Sequence, residues 1–277
     1  MDLLLNREHY LCDDSLNNSS FIHFHTTSKK ISAENYNELA IISKEKGLTK
    51  KVIYFYQKAL ALRTSSLGLL NSKTIASVKR LAEAYFDEGM SKESLIFYKK
   101  SLELNQNLFG EDSLQVASDY SALAKIYFRE ENLEEAFSFY LRALKIRETH
   151  LGGKHPLTAC SQYELGYFYA ASEEYSLALP LFEKALETRV ELFRFSHPET
   201  AKSYNSLAMC QYHLFHYDKA YEYLSEALKI KEMIFPKNDE RILVCKKNLI
   251  EIEKFYLKKE KHTLFRAMLI GLKVFKF

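Results

Sequence analysis

The sequence predicts an all-α protein in which antiparallel helix hairpins stack into a solenoid, and three observations lead to this prediction. A 42-residue period runs through most of the chain. Each copy of the period carries two apolar stripes with the spacing of an amphipathic α-helix. Helix breakers are scarce, with only 8 Gly and 4 Pro among 277 residues. A chain of such copies predicts a stacked array rather than a single globular core.

The period is clearest at one position, which is leucine in all six copies. Two other positions carry mostly small residues. Because two helices approach closely only where side chains are short, we expect these small residues where the helices of a hairpin cross. The leucines are Leu39, Leu81, Leu123, Leu165, Leu207 and Leu249. The residues after them are Ala40, Ala82, Ala124, Gly166, Ala208 and Ile250, and the second series is Ala59, Ser101, Ala143, Ala185 and Ala227.

Each copy is predicted to form two helices separated by a short turn. In the third copy, Tyr120, Leu123, Ala124 and Tyr127 share one helix face at i, i+3, i+4 and i+7. The polar residues 130–132 interrupt this pattern. A second stripe with helical spacing then follows, formed by Ala136, Phe139, Tyr140, Ala143 and Leu144.

His155-Pro156 and His197-Pro198 occupy the same position of two successive copies, and this pattern has two interpretations. In the first, His is the N-cap of the next helix and Pro its first residue, where a missing N–H does no harm. In the second, the histidines ligate a metal or act in catalysis. The first is favoured because a metal site would not accept Asn, Ser or Asp in place of His. The equivalent residues are Asn71, Ser113 and Asp239.

These motifs resemble a known repeat family. Residues 120–127 and 136–143 are similar to the tetratricopeptide repeat pattern, whose usual period is about 34 residues. The longer period, with ALKIRE, LG, HP and TA in residues 143–159 and HP, TA and NSLA in residues 197–208, resembles the repeats of kinesin light chains and nephrocystin-3. The resemblance covers about residues 32–256. It implies a right-handed superhelical solenoid whose concave side is lined by the first helix of each hairpin. No long N-terminal heptad segment is present, so binding to a motor heavy chain is not implied.

The period divides the chain into three parts. Residues 1–31 are predicted to be a flexible leader, because they are polar and do not fit the repeat. Residues 32–256 are predicted to form five full hairpins and the first helix of a sixth. Residues 257–277 are predicted to be a basic, apolar capping helix. Because this segment has more apolar residues than one capping face requires, it has a second interpretation, in which residues 262–277 lie on an acidic membrane.

The sequence contains no recognisable catalytic constellation. Phosphate-binding glycine loops, GxSxG and HExxH are missing, and the four cysteines are widely spaced. We therefore expect no enzymatic activity, no metal site, no cofactor and a cytoplasmic location. The net charge of +3 is small. We do not expect a nucleic-acid partner, since only the basic C-terminal residues favour one.

The expected function is recognition of another protein without catalysis. Positions opposite the recurrent leucine on each first helix should point into the concave groove. Their mixture of aromatic and basic side chains suits a peptide or helical segment with acidic and aromatic residues. An alternative is that the aromatic side chains simply pack against the next helix. The candidate groove residues are Asn37, Lys79, Glu83, Lys125, Phe128, Arg129, Tyr163, Tyr167, Asn205, Met209 and Tyr212.

The sequence is therefore compatible with two functions. The first is an interaction scaffold or adaptor that binds its partner in the groove. The alternative is a membrane-associated adaptor anchored through the basic amphipathic C-terminal helix, with peripheral membrane contact through residues 262–277.

Overall fold

The structure, a computed structural model, describes residues 31–193 and 196–255, and the regular secondary structure in these residues is entirely α-helical. The predicted leader, apart from Ile31, and the predicted capping helix lie outside the described residues. Two compact units make up the chain, one extending to Asp119 and one beginning at Tyr120. The helices are α1 (Ala33–Glu45), α2 (Thr49–Leu67), α3 (Ser72–Asp87), α4 (Ser91–Phe109), α5 (Leu114–Arg129), α6 (Leu133–Leu151), α7 (Pro156–Ala171), α8 (Tyr175–Phe193), α9 (Pro198–His213), α10 (Tyr217–Ile234) and α11, described over residues 240–255.

Odd-numbered helices are the first helices of the hairpins and even-numbered helices are the second. In each unit, consecutive helices pack against each other, as α3 does against α4 and α7 against α8. The prediction of a helix-hairpin repeat solenoid is thereby confirmed.

The turn inside each hairpin has the same backbone geometry in five copies. One residue adopts a left-handed conformation with φ between 60° and 74°, and the N–H that follows it bonds back to the last turn of the first helix. For example, the N–H of Asn132 donates to the carbonyl of Tyr127 at 2.9 Å. The polar interruption at residues 130–132 is therefore a helix stop followed by a sharp reversal. The left-handed residues are Gly47, Gly89, Glu131, Glu173 and Phe215.

Histidine caps the first helix in two copies, as the sequence predicts. The Nδ1 atom of His155 accepts a hydrogen bond from the N–H of Leu157 at 3.1 Å, and His197 does the same for Glu199 at 3.1 Å. Both histidines have extended backbones and are followed by proline at the first helical position. The carboxylate of Asp239 accepts the same bond at the start of α11. The His-Pro motif thus belongs to helix initiation in both copies.

The small residues lie where the two helices of a hairpin meet. Ala124 of α5 and Ala143 of α6 are buried, together with the adjacent leucines. Ala124 packs in one cluster with Ala136 and Tyr140 of α6. At Gly166 of α7 a methyl group would lie 3.0 Å from the Phe182 ring of α8. The residue without a side chain thus lies opposite a bulky ring.

Successive hairpins are joined by a buried arginine near the end of the second helix. In the first unit, Nη1 of Arg63 donates to the hydroxyl of Ser77 at 2.7 Å and to the carbonyl of Lys73 at 3.1 Å. Both acceptors belong to the next first helix, α3. A carboxylate oxygen of Glu34 lies 3.1 Å from the same guanidinium and offsets its charge.

The second unit repeats this contact twice. Arg147 Nη1 donates to the hydroxyl of Ser161 at 2.6 Å, and Arg189 Nη1 donates to that of Ser203 at 2.6 Å. Glu199 forms an ion pair with Arg189 at 2.7 Å. The arginine of the ALKIRE motif, Arg147, is thus a structural residue that bonds its hairpin to the next one, as Arg63 and Arg189 do.

We predict that His155→Ala destabilises the start of α7 by about 1 kcal/mol, because the N–H of Leu157 loses its acceptor. His155→Asp should keep the helix start as stable as it is in the native chain, since Asp239 caps α11 in the same way. Hydrogen exchange at the Leu157 amide measures both effects. His150→Ala is the control, because this exposed histidine lies outside the cap. Equal protection of Leu157 in the His155→Ala and His150→Ala variants would contradict the assignment.

Candidate functional site

The first helices of the second unit lie side by side, so their side chains form a shared surface. α7 and α9 are in contact. The hydroxyls of Tyr163 and Ser206 are hydrogen-bonded at 2.7 Å, and Lys125 of α5 forms an ion pair with Glu164 of α7 at 2.6 Å. We define the first-helix surface as the candidate residues of this unit that are exposed or half-buried. They are Lys125, Phe128, Arg129, Tyr167, Asn205, Met209 and Tyr212.

Tyr167 is the exposed aromatic side chain of the first-helix surface, since Phe128 and Tyr212 are half-buried. It is 50% exposed although it lies more than one turn from either end of α7. Its ring packs edge to face on Phe128 at a centroid distance of 6.0 Å, and Phe128 also contacts Phe168 at 5.8 Å. Phe128 therefore packs against the next first helix, which is the alternative that the sequence allowed for the aromatic residues. Phe128 forms a platform that holds the exposed tyrosine ring.

The position of Tyr163 opposite Leu165 predicts that its side chain is exposed in the groove. This prediction is wrong, because the structure shows Tyr163 buried. Its side chain is only 7% exposed, because the guanidinium of Arg189 and the ammonium group of Lys202 lie 4.6 and 4.7 Å from its ring centroid. Burial raises the pKa of its hydroxyl. Asn37 of α1 occupies the equivalent position and is also buried.

Lys125 is 48% exposed and forms its ion pair with a carboxylate of the neighbouring first helix, α7. Desolvation alone would lower the pKa of Lys125, but the negative charge and hydrogen bond of Glu164 outweigh it and raise that pKa. Oε1 of Glu164 also accepts a weak bond from the Cys160 thiol at 3.6 Å. The ammonium group has three N–H bonds, so its accessible side can donate to a second acceptor.

The remaining candidates of the second unit differ in accessibility. Arg129 is exposed, whereas Asn205, Met209 and Tyr212 are half-buried. Met209 packs against the core of the α7–α10 cluster. Tyr212 contacts the rings of Tyr217 and Phe255 at 5.5 and 5.9 Å. Tyr212 therefore belongs to an aromatic cluster at the C-terminal end of α9.

In the first unit, Lys79 supports a buried carboxylate, and Glu83 is exposed. Nζ of Lys79 lies 3.3 Å from Asp119 and donates to the hydroxyl of Ser118. Asp119 is fully buried and accepts hydrogen bonds from Ser101 and Asn105. Asn105 and Asp119 occupy the positions that are Arg and Ser in the pairs Arg63–Ser77, Arg147–Ser161 and Arg189–Ser203. Lys79 supplies the positive charge that the arginine gives elsewhere.

Sequence reasoning missed three residues of this site, Glu164, Lys202 and Ser206. Their spacing contains a signal that could have found two of them. Lys125 and Glu164 are 39 residues apart, and Tyr163 and Ser206 are 43 apart, close to one period. Residues separated by one period, give or take a helical turn, face each other on successive first helices.

The histidines that might suggest chemistry have structural neighbours. His213 stacks on Tyr175 with ring centroids 4.3 Å apart, and Nδ1 of His216 is hydrogen-bonded to Gln211 at 2.8 Å. Residues 31–193 and 196–255 contain no cluster of three or more His, Cys, Asp or Glu side chains arranged to hold a metal ion. Among the helices that the structure describes, none has the length together with the apolar composition that a bilayer-spanning segment requires.

Comparison with known proteins identifies the same repeat. The family model described as tetratricopeptide repeat matches residues 74–149, 120–189 and 157–233, which together span more than half of the chain. No curated protein matches the chain closely enough to count as a relative.

Several solved structures share the fold. Nearly identical TPR-like repeats from a Podosopora anserina protein assigned to the kinesin light chains are 21% identical, with a TM-score of 0.60, and the match covers 72% of this chain and 94% of that one. BtubC (BKLC) from P. vanneervenii is 21% identical, with a TM-score of 0.61 and coverage of 90% and 94%. Aspartyl phosphate phosphatase F from Bacillus subtilis is 16% identical, with a TM-score of 0.67 and coverage of 87% and 60%. At these identities the similarity shows the fold alone.

We predict that Lys79→Met destabilises the first unit by about 2 to 3 kcal/mol at pH 7, because Asp119 is left buried without its cation. Burial raises the pKa of Asp119 above its ordinary value of 3.8, although Lys79 and the two hydrogen bonds oppose this. For an acid with a raised folded pKa, stability is greatest while the group is protonated and is lost as the pH rises through that pKa. The loss caused by Lys79→Met should therefore be smaller at pH 4 than at pH 7.

Denaturant unfolding at both pH values measures this effect. Lys73→Met, at an exposed lysine of the same helix, should change stability by less than about 0.5 kcal/mol. Adding Asn105→Arg and Asp119→Ser to the Lys79→Met variant restores the arginine–serine pair and should recover most of the loss. An equal loss at pH 4 and pH 7 would show that Lys79 does not compensate the charge of Asp119.

Proposed function

Because the chain belongs to the tetratricopeptide repeat family, with 42-residue repeats of the kinesin light chain type, we propose that it is an adaptor that binds a peptide or helical segment of a partner protein on the first-helix surface. Tetratricopeptide repeats are protein-interaction scaffolds and are typically non-catalytic. The specific proposal concerns which surface is used and what kind of ligand it accepts.

The proposal rests on Tyr167, whose ring is exposed to solvent and is nevertheless held in place by a neighbouring side chain. The core of the hairpin does not require this ring, which is half in solvent, yet Phe128 holds it in place. A rigid aromatic side chain with an apolar face and a hydroxyl group loses little entropy on binding, and such residues dominate binding energies at protein interfaces. Met209 and Asn205, which are half-buried on the adjacent helix, provide an apolar and an amide contact beside it.

The charges around Tyr167 favour an acidic ligand. Lys125 and Arg129 of α5 are exposed on one side, and Lys202 of α9 is exposed on the other. A carboxylate of the ligand can accept from the open side of the Lys125 ammonium group. In this proposal the ligand contacts Lys125, Arg129, Tyr167, Asn205 and Met209.

Two predicted groove residues have supporting roles in the proposal. Tyr163 lies beneath the surface, where its ring contacts the ammonium group of Lys202 and so positions that charge. Phe128 supports Tyr167 from below. In the first unit, Glu83 is the accessible candidate for a separate contact with the partner.

We further propose that the adaptor works in the cytoplasm. Cys160, Cys210 and Cys245 are free thiols, which suits a reducing compartment.

We predict that Tyr167→Ala reduces partner capture by the full chain about tenfold or more, because an aromatic anchor is worth 1.4 kcal/mol or more at an interface. Tyr221→Ala is the matched control, since Tyr221 is a similarly exposed tyrosine on the second helix α10. Proteins captured from lysate by the native chain and the control, and lost with Tyr167→Ala, are the candidate partners. Their affinity for the purified variants is then measured. If both alanine variants bind a confirmed partner equally, the ligand uses another surface.

The membrane alternative is based on residues 262–277, which lie outside the described residues, and it remains a prediction. If it holds, the full chain should float with vesicles of phosphatidylserine and phosphatidylcholine. Deletion of residues 262–277 should abolish flotation while Tyr167-dependent partner capture persists. Flotation that is unchanged by the deletion would exclude this anchor.

A further inference from the structure

Among residues 31–193 and 196–255, the last helix, α11, has packing partners on one side only. On its inner side, Ile242, Cys245 and Ile252 are buried against the fifth hairpin. The Cys245 thiol donates a weak hydrogen bond to the carbonyl of Leu224 in α10 at 3.7 Å. This side therefore continues the contact that joins successive hairpins in the rest of each unit.

The other side of α11 exposes two large aliphatic residues at positions that are buried everywhere else. Leu243 is 54% exposed and Ile250 is 55% exposed. In each of the five hairpins the residues at both positions are buried. The residues equivalent to Leu243 are Ala33, Ile75, Ala117, Ala159 and Ala201, and those equivalent to Ile250 are Ala40, Ala82, Ala124, Gly166 and Ala208.

In the complete hairpins, the second helix covers this face. Gly166 stands opposite Phe182 of α8, and Ala208 clusters with Leu224 of α10. The side chain that faces the small residue is bulky in every copy. These bulky side chains are Tyr56, Tyr98, Tyr140, Phe182 and Leu224.

We propose that residues 259–277 form the second helix of a sixth hairpin and cover the face that contains Leu243 and Ile250. Counted by the period, this segment corresponds to α2, α4, α6 and α8, each of which has 19 residues. Its last residue, Phe277, is equivalent to large apolar residues in all five copies, namely Leu67, Phe109, Leu151, Phe193 and Phe235.

In this proposal both facing residues of the sixth hairpin differ from those of the other five. Where the other first helices have Ala or Gly, α11 has Ile250. Where the other second helices have an aromatic residue or leucine, this segment has Arg266. An arginine stem is apolar and thinner than a ring, so it can lie over the larger isoleucine.

Charge complementarity supports the same arrangement. Glu253 is exposed one helical turn after Ile250, within reach of a guanidinium that extends past that residue.

Phe265 falls at the position of Phe97 and Phe139, which stack on tyrosines of their first helices at 5.5 Å. Phe265 therefore precedes Arg266 as Phe97 precedes Tyr98 and Phe139 precedes Tyr140 in the other second helices.

Disulfide trapping in the full chain tests the proposal. In the Ile250→Cys/Arg266→Cys variant the two thiols should face each other, as Gly166 and Phe182 do, and should form an intramolecular disulfide. The control is Val244→Cys/Arg266→Cys, because Val244 is exposed and lies about 120° around the axis of α11 from Ile250. Under mild oxidation the first pair should close about tenfold faster than the control, as expected for a pair held within disulfide geometry.

Three results would overturn the proposal. Equal closure rates in the two variants would mean that the segment does not dock on α11. Disulfide-linked dimers would mean that a second copy of the chain covers the face. Loss of closure when phosphatidylserine vesicles are added would mean that the segment prefers a membrane surface.

A charge reversal provides a second measurement that keeps Ile250 intact. Glu253→Arg and Arg266→Glu should each lower hydrogen-exchange protection of the α11 amides by about threefold, and the double variant should restore it. Glu251→Arg is the control for specificity, because Glu251 pairs with Lys254 on the same helix and any loss it causes should not be restored by Arg266→Glu. Protection losses that simply add in the double variant would contradict the contact between Glu253 and Arg266.

Discussion

The arrangement of each unit depends on a buried guanidinium that bonds the end of one hairpin to the start of the next. Arg63, Arg147 and Arg189 each donate to a serine hydroxyl and a backbone carbonyl of the following first helix. A buried charge is tolerated only with such partners, so the two helices are held at a distance and orientation that keep the bonds intact. Packing of Ala and Leu brings helices together without fixing one orientation, whereas this planar, directional donor does fix it.

The junction between α4 and α5 shows that the fold requires a polar contact at this position but not one particular pair of residues. Asn105 and Asp119 replace the arginine and serine, and Lys79 brings a cation from the first helix. The positive charge has moved to another helix, and the negative charge is now the buried one. Since burial raises the pKa of Asp119, this junction depends on pH in a way that a junction of arginine and serine does not.

The same junctions place the first helices of the second unit side by side, and this contact creates the surface proposed to bind a partner. Lys125 and Glu164 are joined across two helices, and Tyr167 stands on Phe128 of the neighbouring helix. The two central features of the surface are therefore each supported by a residue from another repeat. A ligand lying across α5, α7 and α9 would read the sequence of three repeats at once, so variation among otherwise similar repeats supplies selectivity.

The sequence by itself determined the hairpins, their turns, the small residues at the helix crossings and the capping role of His155, because these depend on contacts within about one repeat. It also gave the positions on each first helix that point away from the recurrent leucine. Only the tertiary structure decided which of those positions are accessible. Tyr163 is covered by Arg189 and Lys202 from the next hairpin, whereas Tyr167, one turn further along, is left half in solvent. The direction of a side chain on a single helix follows from its helical phase, but its exposure depends on the neighbouring helices, which that phase does not describe.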